Sequence, residues 1–337
     1  MNYSKKPIVA GLIFVSTTAY AIVETYCRPN DGSTFMPKVN TALNIPPAVG
    51  FDTLRVKPTL EKPLATGGAF RVVCTPSHIS NDDPLVFPNQ KDATHSHTFF
   101  GNTSTNYASD LNNMSAVGNS TCKGGIMNRS AYWIPSMVDT SLNKVVSPDL
   151  AIVYYKLGNV PAGFVNAPPK GLRMLAGNPK ATNSAQNAHI GFTCLSRVPF
   201  FGWQGTIPSC KVGETMQMKI SFPNCWNGLD LDSPSHQSHM AYSNSRNTSA
   251  NKCPAGFQKA IPSIAINMNF KVRTVNDAKN WRLASDNYPS TQAGGASAHG
   301  DFVSGWNQAF IEGIVKNCLN LNKDGHAHLL CDSRMIY

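Results

Sequence analysis

Two histidines stand at alternate positions in the segment DATHSHTFFGN, residues 92–102. Successive side chains of an extended strand point to opposite faces, so His95 and His97 are expected to project to the same side. Imidazoles presented in this way hold a metal ion, or act as general acid and base on a substrate. This pair is the first candidate site, with a hydrogen-bonding role inside the fold as the alternative.

A second candidate site lies in the segment FPNCWNGLDLDSPSHQSHMAY, residues 222–242. It contains Asp232, His236 and His239, and the two histidines share a face only if the chain forms a helical turn there. Trp226 precedes them, and an indole beside polar side chains suits stacking on a sugar as well as packing in a core. The segment therefore offers acid–base groups beside an aromatic ring.

A third candidate site lies in SAHGDF, residues 297–302, where His299 and Asp301 again stand at alternate positions. Gly300 between them permits the backbone to bend, and a carboxylate beside an imidazole orients it for proton transfer. Three segments that combine these residue types favour a functional cluster over three unrelated structural roles.

Several common catalytic signatures are absent from the sequence. It has no G-x-S-x-G, H-E-x-x-H, G-x-G-x-x-G or phosphate-binding P-loop motif, so nothing supports the enzyme classes that use them. The chain has only four glutamates, none of them in the three segments, which disfavours a glycosidase built on a glutamate pair. An aspartate pair such as Asp232 and Asp301 remains as an alternative.

The N-terminus predicts export. Two lysines and the apolar run of residues 8–15 precede a small-residue cleavage site at Ala21, which is typical of a secretory signal peptide. The apolar run is too short to span a bilayer, and no later stretch reaches that length, so we expect no membrane partner. We predict a signal peptide over residues 1–21 and one secreted domain over residues 22–337, periplasmic or extracellular.

The charge balance indicates the kind of partner. The chain has 29 basic and 19 acidic residues, and two of the basic ones lie in the signal, which leaves 27 against 19 and a net charge of +8. Such a charge attracts an anionic polymer such as an acidic polysaccharide. Lysines and arginines are scattered singly, which argues against nucleic acid. We therefore expect polysaccharide or another extracellular ligand as the partner.

Nine cysteines follow the predicted cleavage site, none of them in a C-x-x-C pair. An exported chain is expected to use them in disulfides, although spacing alone does not fix the connectivity. Cys27 is the odd residue under nearest-neighbour pairing, so we expect a monomer, with a disulfide-linked dimer through Cys27 as the alternative. That pairing predicts the bonds Cys74–Cys122, Cys194–Cys210, Cys225–Cys253 and Cys318–Cys331.

The arrangement of short elements predicts the fold class. Runs rich in β-branched and aromatic residues alternate with turn residues, and SIAINMNFKV alternates apolar and polar residues as a half-buried strand does. Five residues at every fourth position predict a helix over residues 302–319. We expect a mainly β, single-domain β-sandwich or jelly roll with one or two helices and long disulfide-stapled loops. The clearest predicted strands are residues 69–74, 150–157, 216–222 and 261–272.

Several sequence blocks occur in an order that resembles one family of secreted proteins. HSHTFFGN, STCKGGIMNRSAYWIPSM, GLRMLAGNP, FPNCWNGLDLDSPSHQSHMAY and HGDFVSGW are similar to blocks of the domain of unknown function DUF1996, found in fungi and bacteria. The resemblance covers about residues 74–310 and implies an exported protein, with fungal members often fused to modules for cell-wall carbohydrate. The residues that match the family's blocks are His95, His97, Asn102, Tyr132, Trp133, Arg173, Asp232, His236, His239, Met240, His299 and Asp301.

Together these features predict a secreted polysaccharide-active enzyme, a hydrolase or a lyase, whose substrate is an acidic or cell-wall glycan. His95 or His236 would act as general acid or base, and Asp301 would orient His299. Arg173 would hold a carboxylate or hydroxyl of the substrate. The predicted catalytic residues are His95, His97, His236, His239, His299, Asp301 and Asp232. The predicted substrate-binding residues are Tyr132, Trp133, Arg173, Trp226 and Asn102.

The alternative is a non-catalytic exported protein that binds a metal or a carbohydrate. His95, His97 and His299 would then ligate a divalent ion, zinc or copper, because imidazole suits both. The two hypotheses overlap, since a metal ion can also serve catalysis. A third hypothesis makes the histidines part of a buried hydrogen-bond network that only joins loops.

Overall fold

The structure is a computed structural model that describes residues 47–195, 202–273 and 278–337. The predicted signal peptide, its cleavage site at Ala21 and Cys27 lie outside the described residues. The strands in the described ranges are β1 Val56–Pro58, β2 Ala69–Cys74, β3 Pro76–Ser80, β4 His97–Gly101, β5 Ala131–Pro135, β6 Met137–Asp139, β7 Lys144–Val146, β8 Leu150–Lys156, β9 Arg173–Gly177, β10 Ile190–Cys194, β11 Thr215–Ser221, β12 Cys225–Trp226, β13 Met240–Ala241, β14 Lys259–Ala260, β15 Ser263–Lys271, β16 Trp281–Leu283, β17 His299–Val303 and β18 Arg334–Ile336.

Two five-stranded antiparallel sheets form the frame. The back sheet has the order β10-β11-β15-β8-β2, and the site sheet has the order β3-β4-β5-β17-β9. Smaller sheets pair β1 with β18, β12 with β13 and β14, and β6 with β7 and β16. The chain is therefore mainly β, as predicted, and the four strands expected most clearly are β2, β8, β11 and β15.

The main core lies between the two sheets, which gives a sandwich-like arrangement. On β15 the buried residues alternate with half-buried ones, as its sequence predicts. From the site sheet, Tyr132 and Phe302 join the same buried cluster as Ile220 and Ile266 of the back sheet. Gly300 also faces this core, because a Cβ there would lie 2.9 Å from the Ile220 side chain. Its role is close sheet packing and not the bend that was expected.

The outer face of the site sheet carries a second, smaller core. Phe99, Trp133, Asp301 and Leu175 lie side by side on adjacent strands β4, β5, β17 and β9. Except for the aspartate they form a buried apolar cluster. Leu85, Leu111 and Met114, from segments outside the sheet, belong to the same cluster. The outer face of the site sheet is therefore buried beneath the segments that pack on it.

Four disulfides fix the connections between elements. All four predicted pairs are present, which confirms nearest-neighbour pairing. The bonds are Cys74–Cys122, Cys194–Cys210, Cys225–Cys253 and Cys318–Cys331.

The predicted helix over residues 302–319 begins later than expected. α1 spans Gln308–Ile314, a π-helical segment follows over Val315–Leu319, and short 3-10 helices lie at Met114–Ala116, Ser184–Gln186 and Ala278–Asn280. Phe302 belongs to β17 because that strand pairs with β5 on one side and β9 on the other. Sheet pairing satisfies the backbone groups of this segment and overrides its helical spacing. Of the helices in the described ranges, none has the length and apolar character needed to cross a bilayer.

Candidate functional site

His95 and His97 meet on the outer face of the site sheet. His97 is the first residue of β4 and is fully buried, and His95 lies just before the strand. Their ring centroids are 4.4 Å apart. The prediction that the two imidazoles project to one side is confirmed.

His299 joins this pair from a distant part of the sequence. It is the first residue of β17, and its ring centroid lies 5.1 Å from that of His95 and 5.8 Å from that of His97. One ring nitrogen from each of the three histidines lies within 4.8 Å of the other two. The structure therefore brings together two of the three segments in which the sequence indicated chemistry.

The hydrogen bonds of two histidines fix their tautomers. His97 donates through Nδ1 to the carbonyl of Asp82 at 3.0 Å, and His299 donates through Nδ1 to the carbonyl of Ser297 at 2.9 Å. A carbonyl only accepts, so each Nε2 carries the lone pair. No described residue supplies a hydrogen-bond partner for the buried Nε2 of His97 or of His95.

Two buried carboxyl groups complete the cluster. Asp301 is fully buried, and neither of its oxygens has a partner among the described residues. Asp83, His97 and Asp301 each offer a ligand atom within 4.8 Å of the other two. Asp83 was missed from the sequence, because its loop approaches His97 only through packing on the sheet. The adjacent acids of the segment NDDP were the one available signal.

Burial disfavours the charged forms of the residues in this cluster. Removal from water lowers the pKa of His97 and of His299 to about 4, and it lowers the pKa of His95 well below its ordinary value. The same burial raises the pKa of Asp301 well above its usual range, with Asp83 as a second cause, and raises that of Asp83. Neutral imidazole is the form that binds a metal.

The donor set fits a divalent transition metal. Ring nitrogens and carboxylate oxygens are the ligands that zinc and copper(II) take in proteins. Ligating histidines usually donate their second nitrogen to a carbonyl, as His97 and His299 do. Buried polar atoms without partners cost about 1–3 kcal/mol each. A purely structural network is expected to close such hydrogen bonds, whereas these atoms have no partner among the described residues.

A cleft of about 440 Å³ adjoins the histidine cluster. Pro84 and Leu85 line one wall, and they directly follow the cluster residue Asp83, whose Oδ1 accepts a hydrogen bond from the Leu85 N–H at 3.1 Å. Arg173 of β9 and His236 also line the cleft. The cleft therefore shares one wall with the buried cluster.

His236 and Asp232 form an acid–base pair in this cleft. His236 donates through Nδ1 to Oδ1 of Asp232 at 2.8 Å, which leaves its Nε2 for a substrate. Burial raises the pKa of Asp232, but the hydrogen bonds from His236 and from the Ser233 N–H outweigh it, so the pKa lies below its usual value. An ionised Asp232 holds the imidazole in one tautomer and orientation.

Arg173 places a cation beside this pair. It is the first residue of β9, and its guanidinium donates to Oδ1 of Asn112 at 2.8 Å and reaches Oδ2 of Asp232 at 3.5 Å. Its Nε has no partner among the described residues. His239 supports the strand below it: one ring nitrogen donates to the Arg173 carbonyl at 2.8 Å and the other meets the Ser233 hydroxyl at 2.9 Å.

The other predicted substrate-binding residues lie away from the cleft. Tyr132 is fully buried, and its hydroxyl meets that of Tyr155 at 2.7 Å. Trp133 is fully buried in the outer core, and Asn102 is buried and donates to the Val117 carbonyl at 2.9 Å. Trp226 donates to the Asp230 carbonyl at 2.6 Å and closes the loop that carries Asp232. These residues build the site, and their geometry gives them no substrate-facing surface in the cleft.

Comparison with known proteins gives one match. A family model described as a domain of unknown function, DUF1996, matches residues 83–306. A search of curated proteins found no match, and neither did a search of solved structures. The matched range begins at Asp83 and contains every residue of the histidine cluster and the cleft pair.

Proposed function

We propose that this protein, which belongs to the DUF1996 family, is a secreted polysaccharide-active enzyme that holds a divalent metal ion beneath its substrate cleft. The observation that carries the proposal is the cluster of His95, His97 and His299, whose ring nitrogens converge on one point next to the cleft of Arg173 and His236. Export is supported by the predicted signal peptide and by four disulfides, which persist in oxidising compartments.

Acid–base chemistry is assigned to His236. His236 lines the cleft, and Asp232 holds this ring by its Nδ1, which leaves Nε2 for proton transfer. His239 is a positioning residue, because both of its nitrogens are engaged by the protein. Hydrolysis and elimination both need such a base, so the reaction product must be identified to distinguish a hydrolase from a lyase.

Arg173 favours a substrate that carries a negative charge. A guanidinium forms paired hydrogen bonds with carboxylates, and the Arg173 side chain lines the cleft and keeps 19% of its surface exposed. A uronate residue of an acidic polysaccharide supplies a carboxylate of this kind. In a lyase this contact would also neutralise the carboxylate while the neighbouring proton is removed.

The metal ion would be held by His95, His97 and His299, with Asp301 and Asp83 as carboxylate ligands. When bound, a divalent ion polarises an oxygen atom or lowers the pKa of a bound water. The protein's own contribution is to present neutral imidazoles in fixed tautomers and to shield them from solvent with the loop of Asp83.

The test is a screen of acidic and neutral polysaccharides with the mature protein loaded with zinc or with copper. New reducing ends report hydrolysis, and an unsaturated uronate that absorbs in the ultraviolet reports elimination. We expect His236→Ala to reduce the rate by about 100- to 10,000-fold and His328→Ala, a histidine outside the cleft, to leave it unchanged. The enzyme proposal fails if no glycan is converted in either metal-loaded form.

A second candidate function is a non-catalytic exported binder of metal or carbohydrate. The burial of His97, His299 and Asp301 favours it, because a metal site closed to solvent serves structure or storage. Stoichiometric metal together with glycan binding, in the absence of any product, would establish this function.

A further inference from the structure

A second cavity, of about 220 Å³, lies next to the cleft. Its lining includes Gly177 of β9 and Gln237, whereas Arg173 of β9 and His236 line the cleft. The Leu175 N–H donates to the His236 carbonyl at 3.1 Å, and the Gln237 amide donates to the Gly177 carbonyl at 3.0 Å. One stretch of β9 and one loop therefore separate the two cavities.

Uncharged hydrogen-bonding groups and two aromatic rings dominate the second cavity. Its lining, as far as the described residues show, contains no lysine, arginine, aspartate or glutamate. Burial lowers the pKa of His189, which favours its uncharged form as well. We call this cavity the amide pocket, defined by Asn178, Gln186, Asn187, His189, Gln237 and Tyr242.

Asn187 supplies the amide pocket with an unsatisfied acceptor. The residue is 6% exposed, and its Nδ2 donates to the carbonyls of Ala296 at 2.9 Å and Ala298 at 2.7 Å. Its Oδ1 is buried and has no donor in the described part of the chain. A buried acceptor of this kind costs about 1–3 kcal/mol, and a hydroxyl group of a ligand would satisfy it.

The aromatic pair gives the pocket a flat wall. His189 and Tyr242 are stacked, with ring centroids 3.6 Å apart and planes 8° from parallel. His189 has φ 69°, a left-handed conformation that is uncommon for a residue with a side chain. The Tyr242 hydroxyl is fixed by donation to the Ser221 carbonyl at 2.9 Å. Flat apolar surfaces beside amides suit a sugar ring, which has apolar faces and a polar rim.

We infer that the amide pocket is a subsite for an uncharged sugar residue, adjacent in the same polysaccharide chain to the acidic residue held at Arg173. The inference rests on the proposed function, and it narrows the substrate to a polymer in which acidic and neutral sugars are neighbours. Leu175 also lines the pocket and lies two residues along β9 from Arg173, roughly 7 Å away, so a polysaccharide chain that passes over the separating stretch can place neighbouring rings in the cleft and in the pocket. Asn187 also connects this subsite to the histidine cluster, because it donates to the carbonyl of Ala298, the residue before His299.

The test is binding of neutral sugars, measured without any catalytic step. Cellobiose and N-acetylchitobiose are the probes, followed by saturation-transfer NMR and calorimetry on the full mature chain. Ala188 is exposed and lines the pocket, so Ala188→Phe fills it without removing a hydrogen bond. Ala185 is exposed in the same loop but is not part of the lining, and Ala185→Phe is the matched control.

We expect at least one neutral probe to bind the wild type and Ala185→Phe equally, and to bind Ala188→Phe at least about tenfold more weakly. The subsite is overturned if the wild type binds no neutral probe, or if Ala188→Phe binds it unchanged. Degradation of an acidic polymer without neutral-sugar binding would reject the subsite alone, whereas the absence of both would reject the proposed function too.

Discussion

The imidazole rings of His95 and His299 meet edge to face, with centroids 5.1 Å apart and planes at 90°. The two residues are far apart in the sequence: His95 lies just before β4, and His299 is the first residue of β17. Both rings are held in a buried cluster with His97, whose Nδ1 is committed to a backbone carbonyl. One ring nitrogen of each of the three histidines lies within 4.8 Å of the other two, close enough for one cation to be bound by all three.

Removal of the Asp301 carboxylate should weaken metal binding. In the metal-free protein burial raises the pKa of Asp301, so this group must lose a proton to become a ligand. We expect Asp301→Asn to bind zinc about 100-fold more weakly and to release fewer protons per ion than the wild type. Calorimetry in buffers of different ionisation enthalpy measures both quantities. Equal proton release by the two proteins would show that Asp301 is not a ligand.

The metal-free protein should lose stability as the pH falls from 6.5 to 4. Burial lowers the pKa of His97 and His299 to about 4, so the unfolded chain takes up protons in this window that the native state does not. Each histidine contributes a loss on the order of 3 kcal/mol, complete near pH 4. Asp301 and Asp83 act in the opposite direction, because their pKa values are raised.

The matched variant for this effect is His97→Asn, whose amide can keep the hydrogen bond to the Asp82 carbonyl while the titrating group is lost. Urea unfolding at pH 7 and pH 4.5, with a chelator present, should show a smaller drop in the free energy of unfolding for the variant. An equal drop in both proteins would mean that His97 is not held neutral.

The Arg173 guanidinium should control affinity for acidic glycans. Arg173→Lys keeps the positive charge but removes the fork that reaches Asn112 and Asp232. We expect the dissociation constant of an oligouronate to rise by about 10- to 100-fold, while that of a neutral sugar stays the same. Lys144→Met, which removes an exposed cation outside the cleft, should change neither. A uniform loss for acidic and neutral ligands would indicate misfolding of β9 instead.

The Cys225–Cys253 disulfide should stabilise the cleft through the loop that it closes. The bond spans 28 residues, and Asp232 and His236 lie between the two cysteines. Replacing both cysteines by serine should cost about 3–4 kcal/mol of stability and should weaken acidic-glycan binding. The control is the double replacement at Cys318 and Cys331, which closes a 13-residue span and should cost about 3 kcal/mol without changing glycan affinity. Denaturant titration and calorimetry separate the two effects.

The parts of the site that follow from local pattern were predictable from the sequence. Alternation along a strand places His95 and His97 on one side, and the same rule applies to His299 and Asp301. Nearest-neighbour pairing also gave the four disulfides, because each joins cysteines close along the chain.

The remaining parts depend on contacts that local pattern does not encode. Asp83 reaches His97 because its loop packs over the outer core, and a loop carries no periodicity that predicts such an approach. The predicted start of the helix was wrong, because β17 pairs with β5 on one side and β9 on the other and this pairing decides the conformation of Phe302. Tyr132 looked available to a substrate, yet its ring lies between the two sheets.

Metal content tests the central claim most directly. The mature protein, His95→Ala/His97→Ala and His328→Ala are dialysed against zinc or copper and then against metal-free buffer, and the metal-to-protein ratio is measured. If the histidine cluster binds a metal, we expect about one ion per chain in the wild type and in His328→Ala, and none in the double variant. A wild type that retains neither metal, or a double variant that retains as much as the wild type, would contradict the assignment of these histidines as ligands.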